Sequence, residues 1–475
     1  MKQFHFSILI IVFLFSCSGD DGSAPIGESE LPESPIETPA EEEEDDNLEE
    51  VEDANPVTIS DEELLDFTQQ ETFKFFWDYA QTESGCARER FHPNEPLNDP
   101  NTVTIGGTGF GLMAIIVGIE RGFISRSDAT GRLASMLAFL ENADRFHGAW
   151  PHWLDGTTGK VKPFSEKDNG ADLVETAFLA QGLICIQEYF KNGNEEEQLI
   201  SQKAKALWTG VEWNWFTQNQ NTLYWHWSPD FGFEISLELK GYNEVLITYI
   251  MATASENFGI EKEVYNNGWA SNGSIVSGAT AYGLPFLVDH AGNAPKGGPL
   301  FWAHYSYLGL NPNGLSDTYT NYWDVNVNHS KINYNYCVEN PKKFTDYGED
   351  CWGLTASYSR NTDGSLGYNA HSPSNDTGII SPTAAISSIP YTPTESLNAL
   401  RYFYSHKDKL VGPAGFYDAF SPEHDFWVAE AYLAIDQGPI IIMIENYRSG
   451  LLWNLFMQNP SIQKGLDALG FTYSN

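Results

Sequence analysis

Apolar residues recur at helical spacing through nearly all of the chain beyond residue 57. The first helical stretch opens at Ser60, where Glu63 three residues later completes a capping box, and its apolar face continues through Leu64. Alternating patterns typical of β-strands are short, as at 222–227. The pattern therefore predicts an all-α protein with few short strands. Its further predicted helices are 108–121, 125–142, 170–191, 195–209, 236–256, 258–269, 301–309, 324–340, 393–406, 423–434, 439–457 and 461–469.

The predicted helices are of two kinds. A helix that is apolar all round must be buried on every side, whereas an amphipathic helix buries one face. Alternation of the two kinds is what two concentric rings of helices require, so the sequence predicts an α/α toroid over residues 57–475. The uniformly apolar stretches are 108–121, 170–186, 243–254 and 439–444, and the amphipathic ones include 195–209 and 397–409.

Three acidic residues stand at the start of one apolar helix. Asp168, Asp172 and Glu175 are spaced i, i+4 and i+7, so on a helix they share one face in a row about 10 Å long. A helix start explains Asp168 as a cap, but it does not explain Glu175, which lies beyond the first turn. Because like charges repel and burial makes ionisation costly, we interpret the row as a functional site.

The other apolar helices also carry polar residues at their N-terminal ends. Glu244 lies at the start of one, and Asp436 precedes the last one, where Pro439 suits the first helical position. If the inner helices run parallel, these ends meet at one mouth of the toroid. The carboxyl groups of that mouth are then Asp168, Asp172, Glu175, Glu244 and Asp436.

The charge of the chain limits its partners. The formal net charge is −39, and the 49 acidic residues outside positions 20–53 still outnumber the 26 Lys and Arg residues of the whole chain. A surface this negative repels nucleic acid and other anionic polymers, so we expect a neutral ligand. Aromatic residues make up 14% of the chain and supply flat faces against which sugar rings pack, although most of them fill the core.

Five aromatic residues and one arginine are candidate substrate-binding groups. Trp225 lies in a segment dense in tryptophan, where either it or Trp227 is expected to line a cleft. Arg448 near the last apolar helix binds a sugar hydroxyl or, alternatively, neutralises a nearby buried carboxylate. The candidates are Trp150, Trp153, Trp225, Trp302, Tyr391 and Arg448.

The N-terminus is predicted to direct export and membrane attachment. Lys2 and the apolar run 8–15 are typical of an export signal too short for a stable bilayer span, and the small residue before Cys17 resembles a bacterial lipoprotein signal, 1–17, whose cysteine is lipidated. The alternative is an ordinary secretory signal. Residues 18–56 are acidic, rich in proline and self-repelling, so we expect a disordered tether. The acids after Cys17 resemble the export tag of Bacteroidetes surface lipoproteins, and we expect a periplasmic or cell-surface location on the outer membrane.

Motifs for other chemistries are weak or missing from the sequence. The glycine-rich stretch 106–111 follows no apolar strand, so it is interpreted as close packing at an inner helix start rather than as a nucleotide site. The scattered histidines lack a metal-binding spacing, and no serine-hydrolase elbow is present, so we expect neither a metal nor a cofactor. Cys337 and Cys351 are close enough in sequence to form a disulfide in an oxidising compartment.

Several long motifs resemble the glucoamylase-like family, and within it the bacterial β-1,2-glucanases of glycoside hydrolase family 144. The resemblance extends from about residue 60 to the C-terminus. It implies an (α/α)6 barrel, no metal, and inverting hydrolysis of β-1,2-glucan, with the family's acidic cluster at Asp168, Asp172 and Glu175 and a further acid at Glu244. The motifs are DNGADLVE (168–175), GYNE (241–244), GPLFWAHYS (298–306), NYNYC (333–337), CWGLTAS (351–357), AHSP (370–373), SPTAA (381–385), AIDQGPI (434–440) and ENYRSGLLW (445–453).

Inverting hydrolysis restricts which carboxyl groups act together. The acid and the base stand roughly 6.5–9.5 Å apart, whereas Asp172 and Glu175 differ by only about 4.5 Å of helical rise, so the pair must span two helices. We expect Glu244 to be the general acid and Asp436, or a member of the 168–175 row, to be the general base. The alternatives are a non-catalytic surface glycan-binding lipoprotein and a barrel hydrolase for another β-glucan. We expect a monomer.

Overall fold

A computed structural model describes residues 59–290 and 295–474. The predicted signal peptide, the lipidation at Cys17 and the acidic tether of 18–56 lie outside the described residues. From Ser60 onward, the described residues group into one compact unit.

The described residues form an (α/α)6 toroid, as predicted. Outer helices bury one face, whereas inner segments are buried on nearly every side. The outer helices are α1 (Asp61–Trp77), α3 (Arg126–Asn142), α5 (Glu195–Thr209), α7 (Lys262–Asn267), α8 (Tyr322–Glu339) and α10 (Pro393–Ser405). The inner segments are α2 (Ile105–Glu120), α4 (Leu173–Phe190), α6 (Leu246–Ala254), the 3-10 turns Leu300–Ala303 and Tyr305–Tyr307, α9 (Pro382–Ile386) and α13 (Ala434–Ser449). The remaining short helices are α11 (Lys407–Leu410), α12 (Glu423–Phe426), α14 (Leu451–Met457) and α15 (Pro460–Leu469).

Short antiparallel strands lie in the connections between the helices of the barrel. They pair as β1 with β15, β2 with β3 and β4, β5 with β6, β7 with β8, β9 with β10, β11 with β12, and β13 with β14. The strands are β1 (Arg90–Phe91), β2 (Thr102–Thr104), β3 (Trp153–Asp155), β4 (Val161–Lys162), β5 (Ala171–Asp172), β6 (His226–Trp227), β7 (Val276–Ala281), β8 (Leu284–Val288), β9 (Ala356–Arg360), β10 (Leu366–Ala370), β11 (Val411–Gly412), β12 (Gly415–Phe416), β13 (Ala419–Ser421), β14 (Trp427–Ala429) and β15 (Tyr432–Leu433).

Glycine allows the inner helices α2 and α4 to pack backbone against backbone. A Cβ added to Gly109 would lie 2.3 Å from the carbonyl oxygen of Phe178, and one added to Gly182 would lie 2.2 Å from the oxygen of Gly109. No side chain fits at such distances. The glycine-rich stretch 106–111 therefore serves helix packing, in agreement with its interpretation from sequence.

Several predicted boundaries were wrong. The helix predicted at 423–434 is instead a left-handed turn followed by strands, because His424 and its two successors adopt positive φ angles. The segment 301–309 forms 3-10 turns rather than an α-helix. Pro439 is not at a first helical position but inside α13, which begins at Ala434.

The predicted disulfide between Cys337 and Cys351 is absent. Both residues are buried free thiols, and burial raises the pKa of each thiol well above its ordinary value. Proximity in sequence was the only basis for the pairing, and it does not fix the orientation that a disulfide needs.

Within the described part of the chain, no helix has both the length and the apolar character needed to cross a bilayer.

Candidate active site

The N-terminal ends of the inner helices lie at one end of the barrel and hold the buried carboxyl groups. The backbone N–H of Gly106, at the start of α2, donates to Glu175 of α4 at 2.7 Å. Thr383 of α9 donates its hydroxyl to the backbone oxygen of Asp436 in α13 at 2.8 Å. The predicted convergence of these helix ends is therefore observed.

Asp172 is the N-cap of α4 and not a member of a helical row. Its Oδ1 accepts the backbone N–H groups of Val174 at 3.0 Å and Glu175 at 2.9 Å, and the indole N–H of Trp225 at 2.9 Å. Its Oδ2 lies 2.8 Å from Nδ1 of His152. Burial opposes ionisation, but the hydrogen bond from His152 keeps the pKa of Asp172 below its ordinary value. Both oxygens of Asp172 therefore have partners within the protein.

Glu175 lies one turn into α4 and is also fixed by the protein. Its Oε2 accepts the N–H of Gly106 and, at 3.3 Å, the hydroxyl of Thr104, so it ties α4 to the start of α2. Burial raises the pKa of Glu175 above its ordinary value. The prediction that three acids form a row on one helix was wrong, since Asp168 precedes the helix and only Glu175 lies within it.

Asp168 and two histidines complete this side of the mouth. Asp168 Oδ2 lies 3.4 Å from Nε2 of His226, and its Oδ1 has no hydrogen-bond partner. Burial, together with repulsion from Asp172, raises the pKa of Asp168 to about 7. Burial lowers the pKa of His226 to about 4, whereas the pKa of His152 is raised to about 10 despite burial because Glu175 and Asp172 stabilise its cation.

His152, Asp168 and Asp172 also provide ligand atoms that lie within 4.8 Å of one another, which is compatible with a bound metal ion. Two of these ligand atoms already contact each other, because Nδ1 of His152 lies 2.8 Å from Oδ2 of Asp172. The buried carboxylate of Asp172 therefore has its charge balanced by the imidazolium of His152 without an ion.

Glu244 lies two residues before α6 and is half-buried. Its backbone oxygen accepts the hydroxyl of Ser306 at 2.6 Å, which fixes the chain at the helix start. Burial raises the pKa of its carboxyl group to about 7, with further repulsion from Glu175 and Asp172. Glu244 is therefore close to the first group of acids and partly protonated at neutral pH.

A second pair of carboxyl groups lies across the mouth. Asp436 lies in the first turn of α13, and Asp418 and Tyr305 are near enough to interact with its carboxyl group electrostatically. Burial and the neighbouring Asp418 raise the pKa of Asp436 well above its ordinary value. Tyr305 interacts electrostatically with Glu244 as well as with Asp436 and so lies near both carboxyl groups.

No lysine or arginine of the described residues is ion-paired with the acids predicted from sequence: Asp168, Asp172, Glu175, Glu244 and Asp436. These carboxyl groups are held by histidine, by backbone N–H groups and by hydroxyl groups. A cluster of buried acids without lysine or arginine partners suits proton transfer to a neutral ligand.

The predicted aromatic residues divide into two groups. Trp153, Trp225 and Trp302 are half-buried and remain candidates for contact with a ligand. The structure contradicts the predicted contacts of Trp150 and Tyr391 with a ligand. Trp150 is fully buried with its indole N–H bonded to the protein backbone, and the buried hydroxyl of Tyr391 donates to Ala303 at 3.0 Å.

The structure also contradicts the predicted contact of Arg448 with a sugar hydroxyl. It lies at the C-terminal end of α13, whereas Asp436 lies at the N-terminal end, about 18 Å away at 1.5 Å of rise per residue. Its guanidinium binds Glu62 and Asp66 of α1, each at 2.6 Å. Arg448 thus neutralises carboxylates, which was the alternative considered from sequence, although its partners are exposed rather than buried.

Four residues near the acids were not predicted from the sequence: Asp418, Tyr305, His152 and His226. The histidines were weighed from the sequence only as metal ligands, and their scattered spacing gave no sign that His152 and His226 lie at the site. Asp418 lies in a loop between β12 and β13, within no helical pattern. Its proximity to Asp436 arises only from folding.

Comparisons with known proteins agree with this geometry. The family model named Glycoamylase, which describes glucoamylases, matches residues 236–460. The chain is 43% identical over 439 residues to an exo β-1,2-glucooligosaccharide sophorohydrolase (non-reducing end) from Parabacteroides distasonis, which covers 88% of this chain. The chain spans 59% of the length of that curated relative.

Solved structures extend the comparison. An endo-β-1,2-glucanase from Chitinophaga pinensis, in complex with sophorotriose and glucose, is 52% identical, covers 88% of this chain and 99% of its own, and superposes with a TM-score of 0.84. An endo-β-1,2-glucanase from Talaromyces funiculosus in complex with sophorose is only 13% identical, covers 88% and 93% of the two chains, and has a TM-score of 0.62. The second comparison supports the fold alone.

Proposed function

This chain belongs to the glucoamylase-like family with the β-1,2-glucanases of glycoside hydrolase family 144, and from that premise we propose that it hydrolyses β-1,2-glucan by an inverting general acid–base mechanism. The observation that carries the proposal is the pair of acidic groups on opposite sides of one mouth, Glu244 before α6 and Asp436 in α13, with Tyr305 near both. The named relatives act on β-1,2-linked glucans in both internal and terminal modes.

Glu244 is the proposed general acid. Its raised pKa keeps a proton available near neutral pH, which an ordinary glutamic acid would have lost. In the reaction it donates this proton to the glycosidic oxygen as the bond from that oxygen to the anomeric carbon breaks. The leaving sugar then departs as a neutral alcohol.

Asp436 is the proposed general base. It removes a proton from a water molecule that attacks the anomeric carbon from the face opposite the leaving oxygen, so the configuration inverts. Asp172 does not compete for this role, since protein donors occupy both of its oxygens. Asp168 and the half-buried Trp225 are placed to bind sugar hydroxyls and a ring face.

We also propose that the protein is a monomer anchored by a lipid on Cys17, facing the periplasm or the cell surface. The sequence supports this through the export signal and the acidic segment that follows it. A neutral glucan suits the negative surface, because it experiences no electrostatic repulsion.

A panel of linear glucans tests the function. With β-1,2-, β-1,3-, β-1,4- and β-1,6-glucans, we expect shorter products from the β-1,2 polymer only, with the α-anomer appearing first in a polarimetric or NMR time course. Release of sophorose alone indicates action at chain ends, and mixed lengths indicate internal cleavage. Binding without products would favour the non-catalytic glycan-binding lipoprotein, and cleavage of another linkage would favour a different β-glucanase.

The pH dependence of turnover follows from the acid. Glu244 must be protonated, a state that prevails below its pKa of about 7, so we expect kcat to fall as the pH rises through about 7. The measurement is kcat on β-1,2-glucan across pH 4–9 in constant ionic strength, with thermal unfolding followed in the same buffers. If kcat instead fell only near pH 9 while the protein stayed folded, the protonation of Glu244 would not be what limits activity.

A further inference from the structure

One tryptophan is exposed at the mouth end of the barrel. All fourteen tryptophans lie within the described residues, and Trp215 alone among them is exposed, at 42%. It belongs to the connection that leads from α5 toward α6. Since the N-terminal ends of the inner helices lie at the mouth, this connection lies on the mouth side of the barrel. An indole left in water forgoes the free energy that its burial would provide.

Trp215 is part of an aromatic stack. Its indole lies nearly parallel to the imidazole of His147, with 3.8 Å between the ring centroids and 13° between the planes. The indole of Trp227 meets the same imidazole at 5.0 Å and 88°. His147 belongs to the connection from α3 to α4, whereas Trp227 lies in β6. Two connections of the barrel therefore meet in one aromatic surface, which we call the rim stack: Trp215, His147 and Trp227.

The backbone holds the rim stack in place. The carbonyl oxygen of His147 accepts the N–H of Glu212 at 2.9 Å, and the carbonyl oxygen of Glu212 accepts the N–H of Trp215 at 2.9 Å. The carboxylate of Glu212 also lies 2.9 Å from Nδ1 of His147. His147 has a φ of 51°, a left-handed conformation that is uncommon for a residue with a Cβ. The rings are therefore ordered before a ligand arrives, which lowers the entropy lost on binding.

The rim stack is continuous with the acids of the mouth. Trp227 pairs with Ala171 in the sheet of β5 and β6, and the next pair of the same sheet joins His226 to Asp172. Trp225, which donates to Asp172, precedes Trp227 by two residues, so their Cα atoms are at most about 7 Å apart. Tryptophan residues thus extend from the acids to the outer edge of the mouth.

We propose that the rim stack is a distal subsite that binds the part of a glucan chain outside the mouth. The inference rests on the proposed function, in which the acids act on a neutral glucan. A sugar ring presents C–H groups on its faces, and these pack against a flat indole. Trp215 is covered by His147 on one face of its ring and offers the other face to a sugar. A polymer with one bond among the acids must leave the mouth, and the tryptophans line one way out.

The size of the rim stack favours a sugar over a second copy of the chain. A stable protein interface buries about 800 Å² on each partner and has an apolar centre. The rim stack offers one exposed indole beside two half-buried rings, which is too little for such an interface. One flat face is sufficient for one sugar ring, and an uncharged indole suits a neutral polymer.

The test is the binding of linear β-1,2-glucans of increasing length to Trp215→Ala. Native gels containing each glucan measure affinity by the retardation of the protein. Every protein compared carries Glu244→Gln so that the chain is not cut, and the protein with this change alone is the parent. A chain long enough to leave the mouth should bind Trp215→Ala about five- to tenfold more weakly than the parent. A short oligosaccharide that ends inside the mouth should lose much less affinity.

Two further variants separate a lost contact from a lost fold. Trp215→Tyr keeps a flat ring and should retain most of the affinity for long chains. His147→Asn removes the imidazole that supports the indole, whereas asparagine tolerates the left-handed conformation. This variant should bind long chains more weakly than the parent while its melting temperature stays close to that of the parent.

Tyr447→Ala is the matched control. Tyr447 is also 42% exposed, but it lies near the C-terminal end of α13, whereas the mouth lies at the N-terminal end. This variant should bind glucans of every length as the parent does. If Trp215→Ala binds the long chains as tightly as the parent, the rim stack is not a subsite and the inference is wrong.

The binding readout does not depend on turnover, so the two proposals fail separately. If the wild type cleaves β-1,2-glucan while Trp215→Ala binds long chains normally, only the inference fails. If the wild type cleaves no glucan but β-1,2-glucan retards it through Trp215, only the proposed function fails. Sedimentation velocity tests the other occupant. Self-association of the wild type that Trp215→Ala abolishes would assign the rim stack to a second copy and overturn the inference.

Discussion

Replacing Glu244 with glutamine should reduce kcat on β-1,2-glucan by about 10³-fold while the fold is retained. The amide has nearly the same shape, and its carbonyl and NH2 groups are compatible with a polar mouth, but it cannot supply a proton to the leaving oxygen. KM should change little, because binding of the glucan does not depend on the proton. The measurement is initial rate against substrate concentration, with the melting temperature as the check on folding.

Glu256→Gln is a matched control for this change. Glu256 is exposed beyond the other end of α6, so the same substitution alters charge without reaching the mouth. A substrate with a para-nitrophenol leaving group, which departs without protonation, should lose less activity in Glu244→Gln than β-1,2-glucan does. Near wild-type turnover of the glucan by Glu244→Gln would show that another group is the acid.

Replacing Asp436 with asparagine should also reduce kcat, by about 10²- to 10⁴-fold. The amide has nearly the same shape as the carboxylate, but it cannot accept the proton of the attacking water. Added azide should restore part of the turnover, because this anion attacks the anomeric carbon without needing a base. The expected product is a glycosyl azide of inverted configuration.

Two further variants identify the base. Asp467→Asn changes an exposed carboxylate on α15 and should behave as the wild type. Asp172→Asn should lower the melting temperature as well as activity, since it weakens the N-cap of α4 and the contact with His152. If azide restored turnover to Asp172→Asn but not to Asp436→Asn, the general base would be Asp172 rather than Asp436.

Helical periodicity predicted the barrel because burial imposes it along the chain. The uniformly apolar stretches became inner helices, and the amphipathic ones became outer helices. Where loop geometry rather than periodicity decides, prediction failed. The residues 423–426 have helical spacing but adopt a left-handed turn, and Asp168 precedes α4 in an irregular segment instead of capping it.

Closeness in sequence also failed to predict which residues lie together in the site. Arg448 is only twelve residues from Asp436, yet α13 carries it to the opposite end of the barrel, where α1 supplies its partners. Trp150 and Tyr391 have the right chemistry for sugar contacts, but packing against the core removes their rings from the mouth. Residue type alone does not distinguish a buried ring from an exposed one.

The sequence by itself determined the ring of alternating helices and the presence of acids at the starts of apolar ones, since both are local patterns of residue type. Only the tertiary structure decided which acids are free to transfer a proton, because that depends on donors from distant segments. Asp172 accepts hydrogen bonds from Trp225 and His152, whereas Asp436 lies near a second carboxyl group, Asp418, which comes from a loop that carries no periodic signal.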